Sequence, residues 1–365
     1  MKSKFTVRIV TQFIIIFVVI SILFVYASTT SRQLRGNSKQ TTPFRFYVIG
    51  DFGTGQADQH RVAQHLTALS FDAKPALVIS TGDQMYGVSD IERSKGYDGV
   101  SSVFDPSFKN KFENVYSNIQ VPWYMTLGNH DCAGNASAQI LYTSKSKHWK
   151  MPARYYSFQA QHYHDVLQFI VLDSCSLVCA VSKNGKGKQN DRCTGVHVPS
   201  TPRQKQVEWL RRLLERPLPT PQSIFVVVSH WPIFSAMGNG PTAVMISDIQ
   251  PLLQKAAGQY KVIWFNGHDH SLQHIQRRHV NYFISGGGGF KLHPQLKTTA
   301  DGAYIEKGTS MIRSKWNELP DVDIKFQKAS FGFLKVEIDQ GRAHVAMYES
   351  KPDETAAALI YTTVI

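Results

Sequence analysis

Lys261-Val262-Ile263-Trp264-Phe265-Asn266-Gly267-His268-Asp269-His270 sets an apolar run directly before a pair of histidines. The run is short and rich in β-branched and aromatic side chains, so it predicts a buried strand that ends in a polar loop. A Gly-His-x-His cluster arises by chance on the order of 0.04 times in a chain of this size, so one such cluster decides little. Four further stretches repeat the plan. Phe44 to Ile49 ends in Gly50-Asp51, and Ala76 to Ser80 ends in Gly82-Asp83. Val121 to Leu127 ends in Gly128-Asn129-His130-Asp131, and Ser223 to Val228 leads to Ser229-His230. Any one of these reads as a structural loop; all of them together, each carrying Asp, Asn or His, point to a shared site.

Between the strands, Ala57 to Leu69, Gln204 to Leu214 and Met245 to Ala257 carry apolar residues at helical spacing. Strands alternating with helices imply α/β layers, and in such sheets a ligand site lies at the carboxyl ends of the strands, where the polar loops would meet. Val280 to Ser285 is a plain strand. Gly332 to Ile338 and Arg342 to Tyr348 form a hairpin through Asp339-Gln340-Gly341.

The chain has 365 residues, 42% of them hydrophobic and 12% aromatic, enough to bury a large core and unlike a disordered or collagenous sequence. Met1 to Lys4 and Arg8 give a positive start before the apolar run Phe13 to Tyr26, which reads as a targeting segment. Val25-Tyr26-Ala27 favours cleavage near Ala27 over a retained anchor; either way the rest of the chain leaves the cytosol. The expected organisation is a signal peptide or signal anchor over 1–27, a linker over 28–42, a catalytic domain over 43–350 and a C-terminal tail over 351–365. In an oxidising compartment the four cysteines, Cys132, Cys175, Cys179 and Cys193, predict two disulfides among three connectivities. Asn135-Ala136-Ser137 is a glycosylation acceptor. The formal charge of +13 is scattered apart from Lys183, Lys186 and Lys188, and no nucleic-acid motif accompanies it. It serves either to draw phosphorylated substrates or simply to keep the chain soluble.

Asp51-Phe52-Gly53, Gly82-Asp83-Gln84-Met85-Tyr86, Gly128-Asn129-His130-Asp131, Val227-Val228-Ser229-His230 and Gly267-His268-Asp269-His270 resemble, in order, the five motifs of the purple acid phosphatases, within the calcineurin-like metallophosphoesterases. Asn135 to Ile140 and Gly240-Pro241-Thr242 are similar to the small tartrate-resistant type. The resemblance runs over roughly residues 43 to 350. It implies an α/β fold, a β-sandwich of two mixed sheets flanked by helices in four αββα layers, and acid phosphatase activity on phosphomonoesters.

The resemblance also implies a ligand set. Asp51, Tyr86 and His270 would hold Fe(III), Asn129, His230 and His268 a second divalent metal (Fe, Zn or Mn), and Asp83 would bridge them. Hard oxygen donors and a phenolate suit ferric iron, and an amide with two imidazoles suits a divalent ion. Tyr86 is the most informative residue. Alone it reads as a core aromatic, yet the first motif lacks the histidine that many relatives carry there, and the tyrosine makes good the missing ligand. A dinuclear centre supplies a metal-bound hydroxide as nucleophile, so no covalent phospho-enzyme is expected.

His130 is placed to bind the substrate phosphate or protonate the leaving group, and Asp131 to orient His130 or a metal ligand. Asn239 stands where the family carries a substrate-contacting histidine; an amide can donate a hydrogen bond but no proton at acid pH. The family's disulfide has no counterpart, because Ala243 and Val244 occupy the place of one cysteine. Expected partners are phosphorylated small molecules or phosphoproteins, with no nucleic acid, no membrane except through an uncleaved N-terminal segment, and a monomeric chain that is secreted or vacuolar-lysosomal. Two rival readings are a phosphodiesterase or nucleotide hydrolase on the same site, and a membrane-anchored non-enzymatic scaffold, whose mark would be lost ligands.

Overall fold

Strands β1 (Phe44–Ile49) and β2 (Leu77–Ser80) pair in parallel and are joined in sequence through the helix Ala57–Asp72. Their inner residues are buried on both faces, which is why they appear in sequence as unbroken apolar runs rather than as alternation. In the computed structural model, which describes residues 42–87, 98–179, 193, 196, 203–237, 242–293, 297–298, 304–305 and 321–365, these strands lie at the middle of a seven-stranded sheet. On one side follow β3 (Trp123–Tyr124) and β4 (Trp149–Lys150), both parallel. On the other side come β14 (Gly332–Asp339), β15 (Arg342–Glu349) and β16 (Ala358–Val364), all antiparallel.

The second sheet also has seven strands, in the order β13-β9-β10-β8-β7-β6-β5. Its members are β5 (Tyr156–His162), β6 (Asp165–Val171), β7 (Ile224–Val228), β8 (Lys261–Asn266), β9 (Leu272–Arg277), β10 (Val280–Ser285) and β13 (Asp323–Lys328). A separate ribbon pairs Lys297–Thr298 (β11) with Tyr304–Ile305 (β12). The sheets stack through aromatic side chains: the Phe46 ring on β1 lies 5.4 Å from Phe169 on β6 and 6.0 Å from Phe265 on β8. Helix Ala57–Asp72 packs outside the first sheet, and Gln250–Ala257, backed by Arg203–Leu214, outside the second. The result is the four-layer αββα sandwich of two mixed sheets.

Several elements differ from the sequence expectation. Residues 351–365 are not a tail: β16 pairs along β15 from His344↔Val364 to Glu349↔Ala358 and forms the sheet edge. The helix expected over Met245 to Ala257 divides into Ala243–Asp248 and Gln250–Ala257, because Pro251 in the first turn of the second helix has no N–H to continue the first. The strand expected over Val121 to Leu127 pairs only at Trp123–Tyr124, since its neighbour β4 is two residues long. The β14–β15 hairpin turns on Gln340-Gly341 alone, both at positive φ (47° and 70°), with Asp339 paired to Arg342.

All four cysteines are bonded, Cys132 to Cys175 and Cys179 to Cys193. Among the described residues no helix is long and apolar enough to cross a membrane. The apolar run Phe13 to Tyr26, the Lys183–Lys188 stretch and Asn239 lie outside the described residues.

Candidate metal centre

Five strand ends of the two sheets open into one place. Asp51 follows β1, Asp83 and Tyr86 follow β2, Asn129 and His130 follow β3, His230 follows β7, and His268 and His270 follow β8. Asp51, Asp83 and His268 have positive φ (57°, 52° and 67°), a conformation that costs energy in any residue but glycine and concentrates at functional sites. Two glycines let these side chains approach the neighbouring loops. A Cβ on Gly267 would lie 2.2 Å from Asp51 Oδ2, and one on Gly128 would lie 2.0 Å from Asp83 Oδ1.

The seven predicted ligands gather in two groups. In the first, Tyr86 Oη lies 3.2 Å from Asp51 Oδ1 and 3.4 Å from His270 Nε2, and His270 Nε2 lies 3.3 Å from Asp51 Oδ1. In the second, Asn129 Oδ1 is 3.0 Å from both His230 Nε2 and His268 Nδ1, and these nitrogens are 3.2 Å apart. Asp83 Oδ2 lies 3.3 Å from His230 Nε2, and ligand atoms of Asp51, Asp83 and His230 all fall within 4.8 Å of one another.

Hydrogen bonds behind the groups set which atoms face inward. His230 Nδ1 donates to Thr81 O (2.9 Å) and His270 Nδ1 to Lys291 O (2.7 Å), so in the neutral rings both Nε2 lone pairs point into the site. They meet carboxylate and amide oxygens that are themselves acceptors. Acceptors packed this closely, with Asp51, Asp83 and His230 fully or almost fully buried, need a cation or a proton between them. The donor set therefore fits two metal ions.

Protonation tendencies agree. Burial opposes the charge on His230, but Asp83 beside it pushes its pKa up to about 9. Burial likewise works against ionisation of Asp83, while His230 and His130 hold it well below the carboxylate range. Burial, then Asp51 and Asp83, keeps the Tyr86 phenol well above its ordinary range, so it ionises only against a strong cation. Its ring is clamped between Phe290, stacked at 4.1 Å, and His130 at 4.4 Å.

His130 sits at the rim with its backbone N–H donating to Asp83 Oδ1 (3.0 Å) and its Nε2 3.9 Å from Asp83 Oδ2. Asp131 turns to backbone N–H groups and a glutamine. It is fully buried, and its Oδ2 accepts from the backbone of Asp83 and of Gly128 (2.8 Å each), while Gln139 holds its Oδ1. This ties Asp131 to the backbone of Asp83. Burial, then the nearby Asp83, raises the Asp131 pKa to about 7. The group facing His130 Nδ1 is instead Asp98, whose Oδ2 is 2.5 Å away and whose Oδ1 accepts from Gly87 N (2.8 Å) and Gly99 N (3.2 Å). No sequence pattern singles out this lone acid in a loop. Phe290 does carry a sequence signal, the run Gly286-Gly287-Gly288-Gly289 after β10; its N–H donates to Asp51 O (3.0 Å).

Asn135 is exposed and caps the helix Ala136–Tyr142. Its Oδ1 accepts from Ala138 N (3.0 Å) and its Nδ2 donates to Ser101 O (3.1 Å).

A sandwich with convergent metal donors at its strand ends is the architecture of a metal-dependent phosphoester hydrolase. The model of the family described as calcineurin-like phosphoesterase matches residues 44–272. Tartrate-resistant acid phosphatase type 5 of Oryctolagus cuniculus is 32% identical over 274 residues, covering 72% of this chain and 78% of that protein. Purple acid phosphatase 4 of Arabidopsis thaliana is 28% identical over 312 residues, 83% of this chain and 79% of that one. Among solved structures, GAP50, titled the anchor in the inner membrane complex of Plasmodium, shares the fold at a TM-score of 0.62 with 20% identity, covering 88% of each chain. The chain belongs to the calcineurin-like phosphoesterases and, within them, to the purple acid phosphatases of the small tartrate-resistant type, a group of phosphoric monoester hydrolases.

Proposed function

We propose that this chain is an acid phosphatase that hydrolyses phosphomonoesters at a dinuclear Fe(III)-M(II) centre, M being Fe, Zn or Mn. The observation that carries the reading is the division of seven inward-facing donors into a phenol, carboxylate and imidazole group and an amide and two-imidazole group, with Asp83 beside the latter. Asp51, Tyr86 and His270 would hold iron; Asn129, His230 and His268 would hold the divalent ion; Asp83 would bridge. When bound, the metal pair supplies an acidified water as nucleophile and neutralises the phosphoryl oxygens.

The chain's own residues do the remaining work. His130, held at Nδ1 by Asp98, turns Nε2 toward the centre, where it binds a phosphate oxygen and returns a proton to the leaving alkoxide. Asp131 fixes the Asp83 and Gly128 backbone beneath them. Asn239, with no proton to give, serves as a hydrogen-bond donor to substrate. Phosphorylated small molecules or phosphoproteins are the substrates, and nucleic acid is not a partner. The bonded cysteines support an oxidising, secreted or vacuolar-lysosomal setting with a glycan at Asn135, reached through the segment 1–27. The catalytic unit works as a monomer. A scaffold would be marked by lost ligands, and all seven are here.

The test is a panel of aryl and alkyl phosphomonoesters, phosphodiesters and nucleotides assayed across acid and neutral pH. Preferential turnover of monoesters at acid pH supports the reading. Preferential turnover of diesters, or no turnover by metal-loaded protein, overturns it.

A further inference from the structure

The disulfide Cys132–Cys175 joins the segment that carries Asn129 to the segment whose Ser174 hydroxyl holds the backbone of His230. Cys132 lies in the helix Asn129–Ala133, whose first residue is the amide ligand and whose second is His130. Cys175 lies in the helix Ser174–Cys179, and the hydroxyl of Ser174 next to it accepts the backbone N–H of His230 (3.1 Å) and of Trp231 (3.2 Å). A continuous path therefore runs from Asn129 through the sulfur bridge and Ser174 to the backbone of His230. Two members of the first group lie off this path: Asp51 and His270 are tied to each other and to the loops after β8 and β10, through His268 N to Asp51, Phe290 N to Asp51 O and His270 Nδ1 to Lys291 O, while Tyr86, whose ring packs on His130, has its N–H on Gly53 O (2.9 Å).

The bridge is built into the interior. Both cysteines are fully buried, and Arg154 packs beside them with its Nε 2.7 Å from Asp173 Oδ2 and its Nη2 3.6 Å from Cys132 Sγ. Asn129 and His230 come from different sheets, at the ends of β3 and β7, and meet at 3.0 Å. The helices that carry the two cysteines are short, five and six residues, and such helices have little stability of their own. Position at the 3 Å scale must come from cross-links.

We infer that Cys132, Cys175 and Ser174 are positioning residues for the second metal alone: the disulfide and the Ser174 hydroxyl hold Asn129 and His230 at ligand distance, while the Tyr86 group forms without them. The inference rests on the dinuclear reading above. Loss of outer contacts of this kind costs about 10–100-fold in metal affinity.

The test compares wild type, the double variant Cys132→Ser/Cys175→Ser, Ser174→Ala, and Cys179→Ser/Cys193→Ser, each stripped and reloaded with iron and zinc. Metal per chain, zinc affinity and the visible tyrosinate band are recorded. The expected result is zinc affinity lowered about tenfold or more in the first two variants with the iron band kept, and both metals bound normally in the Cys179/Cys193 variant. If the double cysteine variant does not fold, Ser174→Ala, which leaves both disulfides intact, carries the comparison. Unchanged zinc affinity in Ser174→Ala, or equal loss of iron and zinc in a folded variant, overturns the inference. A wild-type chain that binds fewer than two metals overturns the dinuclear reading itself.

Discussion

The carboxylate of Asp98 stands 2.5 Å from Nδ1 of His130, and its other oxygen holds the N–H of Gly87, the residue after Tyr86. One acid thus ties the rim histidine to the loop that carries the phenol. Asp98→Ala should lower kcat about 10–100-fold and leave the metal content and the visible band in place, because His130 loses its orientation and not the metals their ligands. Steady-state kinetics with metal analysis checks this; an unchanged kcat would show that Asp98 only shapes the loop.

Gly267→Ala forces a Cβ to within 2.2 Å of Asp51 Oδ2. The expected outcome is a folded chain with iron binding weakened at least about tenfold, since Asp51 must turn away from Tyr86 and His270. Iron titration followed by the visible band measures it, and normal iron uptake would contradict it.

The raised pKa of His230, about 9, means that the metal-free site carries a proton there at neutral pH. Metal loading near pH 7.5 should then release protons, seen as a calorimetric enthalpy that depends on the buffer's own ionisation enthalpy. The folded pKa lies above the unfolded value of about 6.5, so the stability His230 adds to the metal-free chain is complete below that pH. It is lost as pH rises through about 9. Thermal melts of stripped protein should therefore fall over that window, and less so in His230→Gln.

Deleting residues 351–365 removes β16 together with the hydrogen bond between Tyr361 Oη and His274 Nδ1 (2.7 Å). It also uncovers the backbone edge of β15. The loss should exceed about 2 kcal/mol, summed over several ladder hydrogen bonds of about 1 kcal/mol each. Denaturant melts of the truncated and whole chains give the difference; equal midpoints would return this segment to the status of a tail.

The legible parts of the fold were those where burial on both faces makes a strand an apolar run, as in β1, β2, β7 and β8. Strands with one wetter face, or with buried polar residues, give no apolar run. β5, Tyr156 to His162, alternates buried and exposed residues, and its hairpin turns at Tyr163, which takes φ 58° with no glycine to announce it. β9 carries buried Gln273 and His274 where a sequence reader expects apolar side chains. In the site, residues that follow a strand within a few positions could be named in advance. Asp98 and Ser174 could not, because their roles come from loops brought together by tertiary contact. The cysteine pairing, one of three connectivities in sequence, is likewise set by tertiary contact, which brings Cys132 of the helix Asn129–Ala133 to Cys175 of the helix Ser174–Cys179.

In the proposed function Tyr86 ligates a ferric ion in a two-metal site. Its most direct test is the visible spectrum of the purified chain beside its metal content, with Tyr86→Phe as the comparison. About two metals per chain and a purple tyrosinate-to-iron band that vanishes in Tyr86→Phe are expected. A colourless wild-type protein holding two divalent metals, or a band that survives the substitution, would contradict it.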